Sequence, residues 1–244
     1  MTVVRATEGD PRTMGGLDAL AARYGLEISQ RHRLAILLGI LAQDDRAPTT
    51  MRTTERALDG HLADSLVALE LEATRNAERI VDIGSGAGFP GLALAVALPA
   101  SGVCLLESQA RKCAFLTDVV ARLSLDNVGV ECTRAEEWAA QVEGQDLAVA
   151  RAVAAQPVVL EYAAPLLRLG GRLVDWRGRR DADEEDAAIR AAKELGLRRE
   201  DVCRVQPFAG ARNHHLHVFV KEAPTPARFP RRAGIAKKRP LGAV

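Results

Sequence analysis

The sequence predicts an α/β protein: a mostly parallel sheet with helices on both faces and an antiparallel last strand, preceded by an N-terminal helical segment. Three observations predict it. From residue 79 onward, short apolar runs alternate with stretches of helical spacing, the pattern of repeated strand–helix units. The last two apolar runs are joined by a loop, 206–215, too short for a crossover helix, so that pair is antiparallel. Before residue 79 the apolar residues recur only at helical spacing.

Taken in order, residues 1 to about 13 carry no periodic pattern and are expected to be loose. Leu17, Leu20 and Tyr24 form one helical stripe, and Leu34, Leu37, Leu38 and Leu41 a second. A polar stretch over 43–56 separates these from a third stripe, Leu58, Leu62, Leu66 and Leu69. Strands are expected at 79–83, 103–106, 128–132, 146–150 and 172–176, with helices at 91–98, 112–123, 136–141 and 157–167 between them. The acidic run Asp181–Asp186 suits the positive end of a helix dipole and reads as a solvated helix start. The terminal strands are placed at 201–205 and 216–220. This divides the chain into a helical segment (1–75), a sheet domain (76–222) and a basic tail (223–244).

Composition narrows the class. With 48% hydrophobic and 27% charged residues the chain reads as an ordinary soluble protein, and its 4% aromatics leave the core to Ala, Leu and Val. No basic stretch followed by an apolar run opens the sequence, and the longest apolar run, 92–98, is too short to span a bilayer, so a cytoplasmic location is expected. The four cysteines, at 104, 113, 132 and 203, form no C-x-x-C pair, which speaks against a zinc site and a disulfide framework. Cys104, Cys132 and Cys203 are expected to be buried thiols. No metal is expected.

The chemistry lies at 79–91. A strand runs directly into Asp82-Ile-Gly84-Ser-Gly86-Ala-Gly88, and Pro90 suits the first turn of the helix that follows. Alternating glycines allow a sharp turn and let a ligand approach the backbone, while the next helix offers free N–H groups. Glu107, about twenty residues on, is placed to accept from both hydroxyls of a ribose. Gly86-x-Gly88-x-x-Gly91 also fits the dinucleotide pattern, so an NAD-dependent oxidoreductase is the alternative. Two features favour S-adenosylmethionine. Asp82 precedes the first glycine by two residues, where it can serve the charged amino-acid end of that cofactor directly or through water, and an antiparallel strand pair closes the sheet.

Several further blocks extend the pattern: His61-Leu-Ala-Asp64-Ser65-Leu, the Gly88-Phe89-Pro90-Gly91 extension of the loop, Leu106-Glu107-Ser-x-x-Arg111-Lys112-x-x-Phe115-Leu, Arg134-Ala-Glu136-Glu137, Ala150-Arg151-Ala-Val153, and Phe229-Pro-Arg-Arg-x-Gly234-x-x-Lys-Lys-x-Pro240-Leu. Together they resemble the RsmG (GidB) family of small-subunit ribosomal RNA guanine-N7 methyltransferases, over about residues 58–241. The resemblance implies a Rossmann-like class I methyltransferase fold with a seven-stranded sheet. It implies methylation of one guanine in the 530 loop of 16S rRNA, and cofactor contacts at Gly84, Phe89, Ala135, Glu136 and Arg151, beside Asp82, Gly86 and Glu107. The chain departs from the family where it has Pro48-Thr-Thr-Met-Arg-Thr-Thr in place of an Asn-Leu-Thr element, and where Arg177-Gly178 stands for Lys-Gly. Arg keeps the charge with a different geometry.

The end of the fourth strand limits the methyl acceptor. It reads Ala150-Arg151-Ala-Val-Ala, without the Asn/Asp-Pro-Pro-aromatic element that serves exocyclic amines and without a cysteine nucleophile for pyrimidine C5. Guanine N7 needs neither: its lone pair is free and it loses no proton, so alignment suffices. Arg151 is the expected positioning residue there. Six basic residues and no acid lie between 228 and 239. On charge alone this tail reads equally as a disordered solubiliser or as phosphate contacts; with the resemblance, Arg231, Arg232, Lys237 and Lys238, together with Arg177, are the expected RNA contacts. His214, His215 and His217 read as exposed strand-edge residues with no acidic partner nearby, and His61 as a helix-start or packing residue. A catalytically inert rRNA-binding assembly factor is the remaining alternative. The expected partner is 16S rRNA or a small-subunit particle, and the chain is expected to be a monomer.

Overall fold

Asp10 and Pro11 start the first helix. In the computed structural model, which describes residues 10–139 and 144–242, the Asp10 carboxylate accepts from the Thr13 N–H, and Pro11 occupies the first turn, where its missing donor is harmless. Helix α1 (Pro11–Tyr24) thus begins inside the stretch expected to be loose; residues 1–9 lie outside the described residues. Gly25, at φ 65°, ends it, and α2 (Ile28–Gln43) follows. The third apolar stripe is a compound helix: α3 (Thr54–Ala57), a π-helical turn (Leu58–Ala63), α4 (Asp64–Leu66) and a 3-10 turn (Val67–Glu70), with α5 (Glu72–Arg75) after it. Leu58, Leu62, Leu66 and Leu69 are all buried, as their spacing predicts. The Gly60 carbonyl, within the π turn, accepts from Arg151 at the end of β4.

The sheet has seven strands: β1 (Arg79–Ile83), β2 (Gly102–Glu107), β3 (Val128–Cys132), β4 (Gln145–Arg151), β5 (Leu167–Arg177), β6 (Leu197–Arg204) and β7 (His215–Lys221). Their spatial order is β3-β2-β1-β4-β5-β7-β6, and β7 alone runs antiparallel, against both β5 and β6. Strand order reverses between β1 and β4, which opens a crevice at their carboxyl ends. Helices α6 (Gly91–Ala97), α7 (Ala110–Leu123), α8 (Ala135–Trp138), α9 (Gln156–Ala163), α10 (Ala182–Leu195) and α11 (Ile235–Lys238) complete the fold. The expected helix over 136–141 corresponds to α8, and residues 140 and 141 lie outside the described residues.

Strand alternation divides the core. Ile80, Leu147, Val149 and Val174 face a cluster shared with α1, α2, the compound helix, α6 and α7. Val81, Ile83, Ala148, Ala150 and Leu173 face the other, with α8, α9, α10 and α11. The N-terminal helices therefore roof one face of the sheet, and the C-terminal segment contributes Phe229 and Ala236 to the opposite one.

Two expectations are corrected. Because β7 inserts between β5 and β6, its residues are interior, and His217 is 2% exposed, no strand-edge histidine. The cysteines are not all free: Cys113 on α7 and Cys132 at the end of β3 form a disulfide with their Cα atoms 5.7 Å apart, and Cys132 is exposed. The parallel pairing of β2 with β3 brings these two together, a proximity that their spacing of nineteen residues does not reveal. Cys104 and Cys203 are free and half-buried. No helix among the described residues is long and apolar enough to cross a membrane.

Candidate active site

A cleft of about 240 Å³ opens at the carboxyl ends of β1, β2 and β4. The glycine loop enters it at Gly84. Gly84, Gly86 and Gly88 have φ of 72°, 58° and 95°, a left-handed backbone that only glycine adopts without strain. A Cβ on Gly84 would stand 3.1 Å from Val153, so the loop closes tightly against the end of β4. Glu107, 5% exposed, forms the next wall. Its Oε1 accepts from the Ser108 and Gln109 N–H groups and its Oε2 from the Gly86 N–H. These bonds fix the carboxylate at the rim and tie the glycine loop to β2, leaving one acceptor site on Oε2. Thr133, Arg134, Ala135 and Glu136 make the third wall, and Lys112, Tyr162 and Lys237 complete the lining.

Asp82 is elsewhere. It is 1% exposed, behind the glycine loop, and its Oδ2 accepts the Gly91 N–H at 2.9 Å. Its Oδ1 has no partner among the described residues, and burial pushes the carboxyl up to about 7. Asp82 couples β1 to the start of α6 and does not line the cleft, so of the two expected ways of serving a cofactor's amino-acid end, the direct one is not offered by this geometry. A Cβ at Gly91 would fall 2.6 Å from this carboxylate, so that glycine serves close packing.

A second cluster stands beside the cleft, where β4 meets the compound helix. Arg151 donates through Nη1 to Asp64 Oδ2 (2.8 Å) and to the Gly60 carbonyl (3.0 Å), and through Nη2 to His61 Nδ1 (2.9 Å). His61 stacks on Phe89 with ring centroids 4.6 Å apart and planes 9° from parallel, and the Arg151 guanidinium lies 5.8 Å from the centre of the same ring. Burial, and secondarily the Arg151 charge, lowers the His61 pKa to about 4, so the ring is neutral. A neutral ring that accepts from Arg151 at Nδ1 carries its proton on Nε2, which therefore donates to Thr49 Oγ1 at 2.7 Å. Asp64 Oδ1 is 3.0 Å from His214 Nδ1, and the Trp176 indole donates to the Asp64 carbonyl. The histidine expected to lack an acidic partner thus has one, supplied by a helix 150 residues away in sequence. Ala152, just after Arg151, has φ 58°, a left-handed non-glycine residue at the strand's carboxyl end.

Of the residues expected to bind cofactor, Gly84, Glu107, Ala135 and Glu136 line the cleft. Gly86 supports it through Glu107, while Phe89 and Arg151 belong to the adjoining cluster. Asp64, His214, Lys112 and Tyr162 were not anticipated as parts of the site. The RNA-binding expectations divide. Arg232, Lys237 and Lys238 are exposed. Arg231 is held by Glu161, which is fully buried, and by the Arg239 carbonyl, so its role is structural rather than as an RNA contact. Arg177 is likewise engaged by Asp175 (2.7 Å), Glu184 (3.2 Å) and the Ala154 carbonyl (2.9 Å), which leaves its guanidinium little freedom to meet a phosphate.

The model of the rRNA small subunit methyltransferase G family (GidB) matches residues 40–213. The chain belongs to this family. Ribosomal RNA small subunit methyltransferase G of Rubrobacter xylanophilus is 40% identical over 243 residues, covering 97% of this chain and 91% of its own. The Synechococcus sp. (strain JA-3-3Ab) relative of the same name is 37% identical over 226 residues, covering 87% and 86%. Among solved structures, Aeropyrum pernix fibrillarin in complex with natively bound S-adenosyl-L-methionine superposes with a TM-score of 0.51 at 20% identity, covering 65% of this chain and 73% of that one. That likeness shows the shared Rossmann-like methyltransferase fold. Within the rRNA small subunit methyltransferase G match fall the cleft lining except Lys237 and all of the Arg151 cluster except His214.

Proposed function

We propose that this methyltransferase transfers a methyl group from S-adenosyl-L-methionine to N7 of a guanine in the 530 loop of 16S rRNA. The observation that carries the reading is the pairing of a left-handed glycine loop with Glu107 at one end of the cleft and, at the other, a β4 edge whose Arg151 and His61 are both held by hydrogen bonds. The cleft suits the cofactor. Glu107 offers an acceptor to the ribose hydroxyls, Gly84 lets the backbone approach closely, and Ala135 and Glu136 flank the space for the adenine. When bound, the cofactor supplies an electrophilic methyl on a sulfonium.

The chain's own residues then have to orient, not deprotonate. Arg151 is occupied by Asp64, Gly60 and His61, and both His61 nitrogens are bonded, so neither side chain is free to take a proton. Guanine N7 requires no base, and positioning alone can supply much of the rate. Phe89, His61 and Arg151 form the rigid edge against which the base is aligned. The RNA is held by exposed cations, among which Arg232 and Lys238 are placed on the C-terminal segment. The protein is read as a cytoplasmic monomer acting on 16S rRNA or a small-subunit particle.

Mapping 7-methylguanine in 16S rRNA from cells with and without the gene tests this. Loss of one modified guanine, restored by the wild-type gene and by no Gly84→Asp copy, is the expected result. An unchanged modification map removes the proposed target.

A further inference from the structure

The basic tail is anchored where a free RNA-binding arm would not be. Phe229 and Ala236 are buried in the core under α9 and α10. Arg231 makes a bidentate pair with the fully buried Glu161 of α9, and its guanidinium also holds the Arg239 carbonyl, so the segment on both sides of α11 is fixed. The Gly234 N–H donates to Glu136 Oε1 at 3.0 Å, joining the tail to the cleft wall itself. These contacts hold α11 beside the cleft, and Lys237 is part of the same lining as Ala135, Glu136 and Tyr162. Lys238 and Arg239 remain exposed.

We infer that the C-terminal segment is a wall of the cofactor site and that Lys237 is a direct cofactor contact on the adenine side; this rests on the assignment of the cleft to S-adenosyl-L-methionine. An ammonium is a pure donor, and a purine edge offers ring nitrogens as pure acceptors. The carboxylate of Glu136 beside it supplies the complementary acceptor for an exocyclic amine. The arrangement therefore matches a 6-aminopurine by donor and acceptor type. Glu136 has two tasks, holding the tail through Gly234 and facing the purine, so cofactor binding and tail position are linked through one side chain. Lys237 is thereby reassigned from RNA to cofactor, while Lys238 and Arg232 keep the outward face.

The test is calorimetric titration of the full chain with S-adenosyl-L-methionine, comparing wild type, Lys237→Ala, Glu107→Ala and Lys193→Ala. Losing a charged hydrogen bond should weaken Lys237→Ala by about tenfold. Lys193→Ala, which removes an equal charge from α10 away from the cleft, should bind as wild type does. If Glu107→Ala loses affinity while Lys237→Ala stays within about twofold, Lys237 is no cofactor contact and the cleft assignment stands. If Glu107→Ala also binds normally, the cleft assignment falls and the inference with it. Limited trypsin digestion of the wild type gives a second readout that needs no variant: saturating cofactor should slow cleavage after Lys237 and Lys238 at least severalfold. Equal cleavage with and without cofactor would overturn the wall.

Discussion

Arg151 and Asp64 meet at 2.8 Å with side chains only 14% and 11% exposed, and this pair joins the end of β4 to the N-terminal helices. Its neighbours are polar and specific: His61 and Gly60 complete the arginine, and His214, just before β7, completes the aspartate. Three segments far apart in sequence are thereby locked to one edge of the active site. Removing one partner from a nearly buried pair strands the other charge, at a cost of about 3–5 kcal/mol. Asp64→Asn is therefore expected to lose stability on that order in urea unfolding. Its remaining folded fraction should methylate RNA poorly, because Arg151 and the His61–Phe89 stack lose their restraint. Full activity at wild-type stability would show that the pair positions nothing.

Gly84→Asp is expected to abolish measurable cofactor binding while leaving the fold intact. The residue sits at φ 72°, and its Cβ would approach Val153 to 3.1 Å. A non-glycine residue there costs about 1–2 kcal/mol in backbone strain alone. The added carboxylate also points into a cleft already bordered by Glu107 and Glu136. Circular dichroism would report the fold and calorimetry the binding. Binding at wild-type affinity would move the cofactor away from this loop.

Strand positions, the glycine loop and Glu107 were legible because each is a local pattern. The run 79–83 appears as β1 with the same bounds, and 128–132 as β3. Contacts made across the sheet were not legible. His214 meets Asp64 where β7 packs between β5 and β6, and Asp82 is held by the Gly91 N–H at the start of α6 rather than lining the cleft. The tail misled for a related reason. Its charges read as one cluster in sequence, yet Arg231 is spent on a buried acid and Lys237 faces the cleft, while Arg232 and Lys238 stay in water.

That division separates two adjacent arginines. Arg231→Ala leaves Glu161 buried and unpaired, so its stability is expected to fall by about 3 kcal/mol. Arg232→Ala should unfold as wild type does. If Arg232 meets a phosphate, its removal lowers RNA affinity at every sequence and reduces the salt dependence of log K by about one unit. Chemical denaturation and a salt series of RNA binding, run on both variants, check this. Equal stability of the two would contradict the structural assignment of Arg231.

His217 gives the fold a pH dependence that its own substitution can expose. The ring is 2% exposed, neither nitrogen has a partner among the described residues, and burial lowers its pKa from 6.5 to about 4. Between those values the unfolded chain binds a proton that the folded chain refuses, so this group opposes folding increasingly as pH falls from 6.5 toward 4. His61, also lowered to about 4, acts in the same direction. Asp82 and Asp175 act against them. Burial raises these carboxyls to about 7 and about 6, so the folded chain keeps protons that the unfolded chain releases, and stability gains as pH falls toward the unfolded carboxyl value of 3.8. The four contributions nearly offset one another between pH 6 and 4. His217→Leu removes one member of the destabilising pair and keeps an apolar side chain in the core. Relative to wild type it should therefore gain on the order of 2–3 kcal/mol between pH 7 and pH 4.5. Urea unfolding at the two pH values measures this difference. If the gap between variant and wild type is the same at both, His217 titrates as a solvated histidine would, and its burial carries no proton linkage.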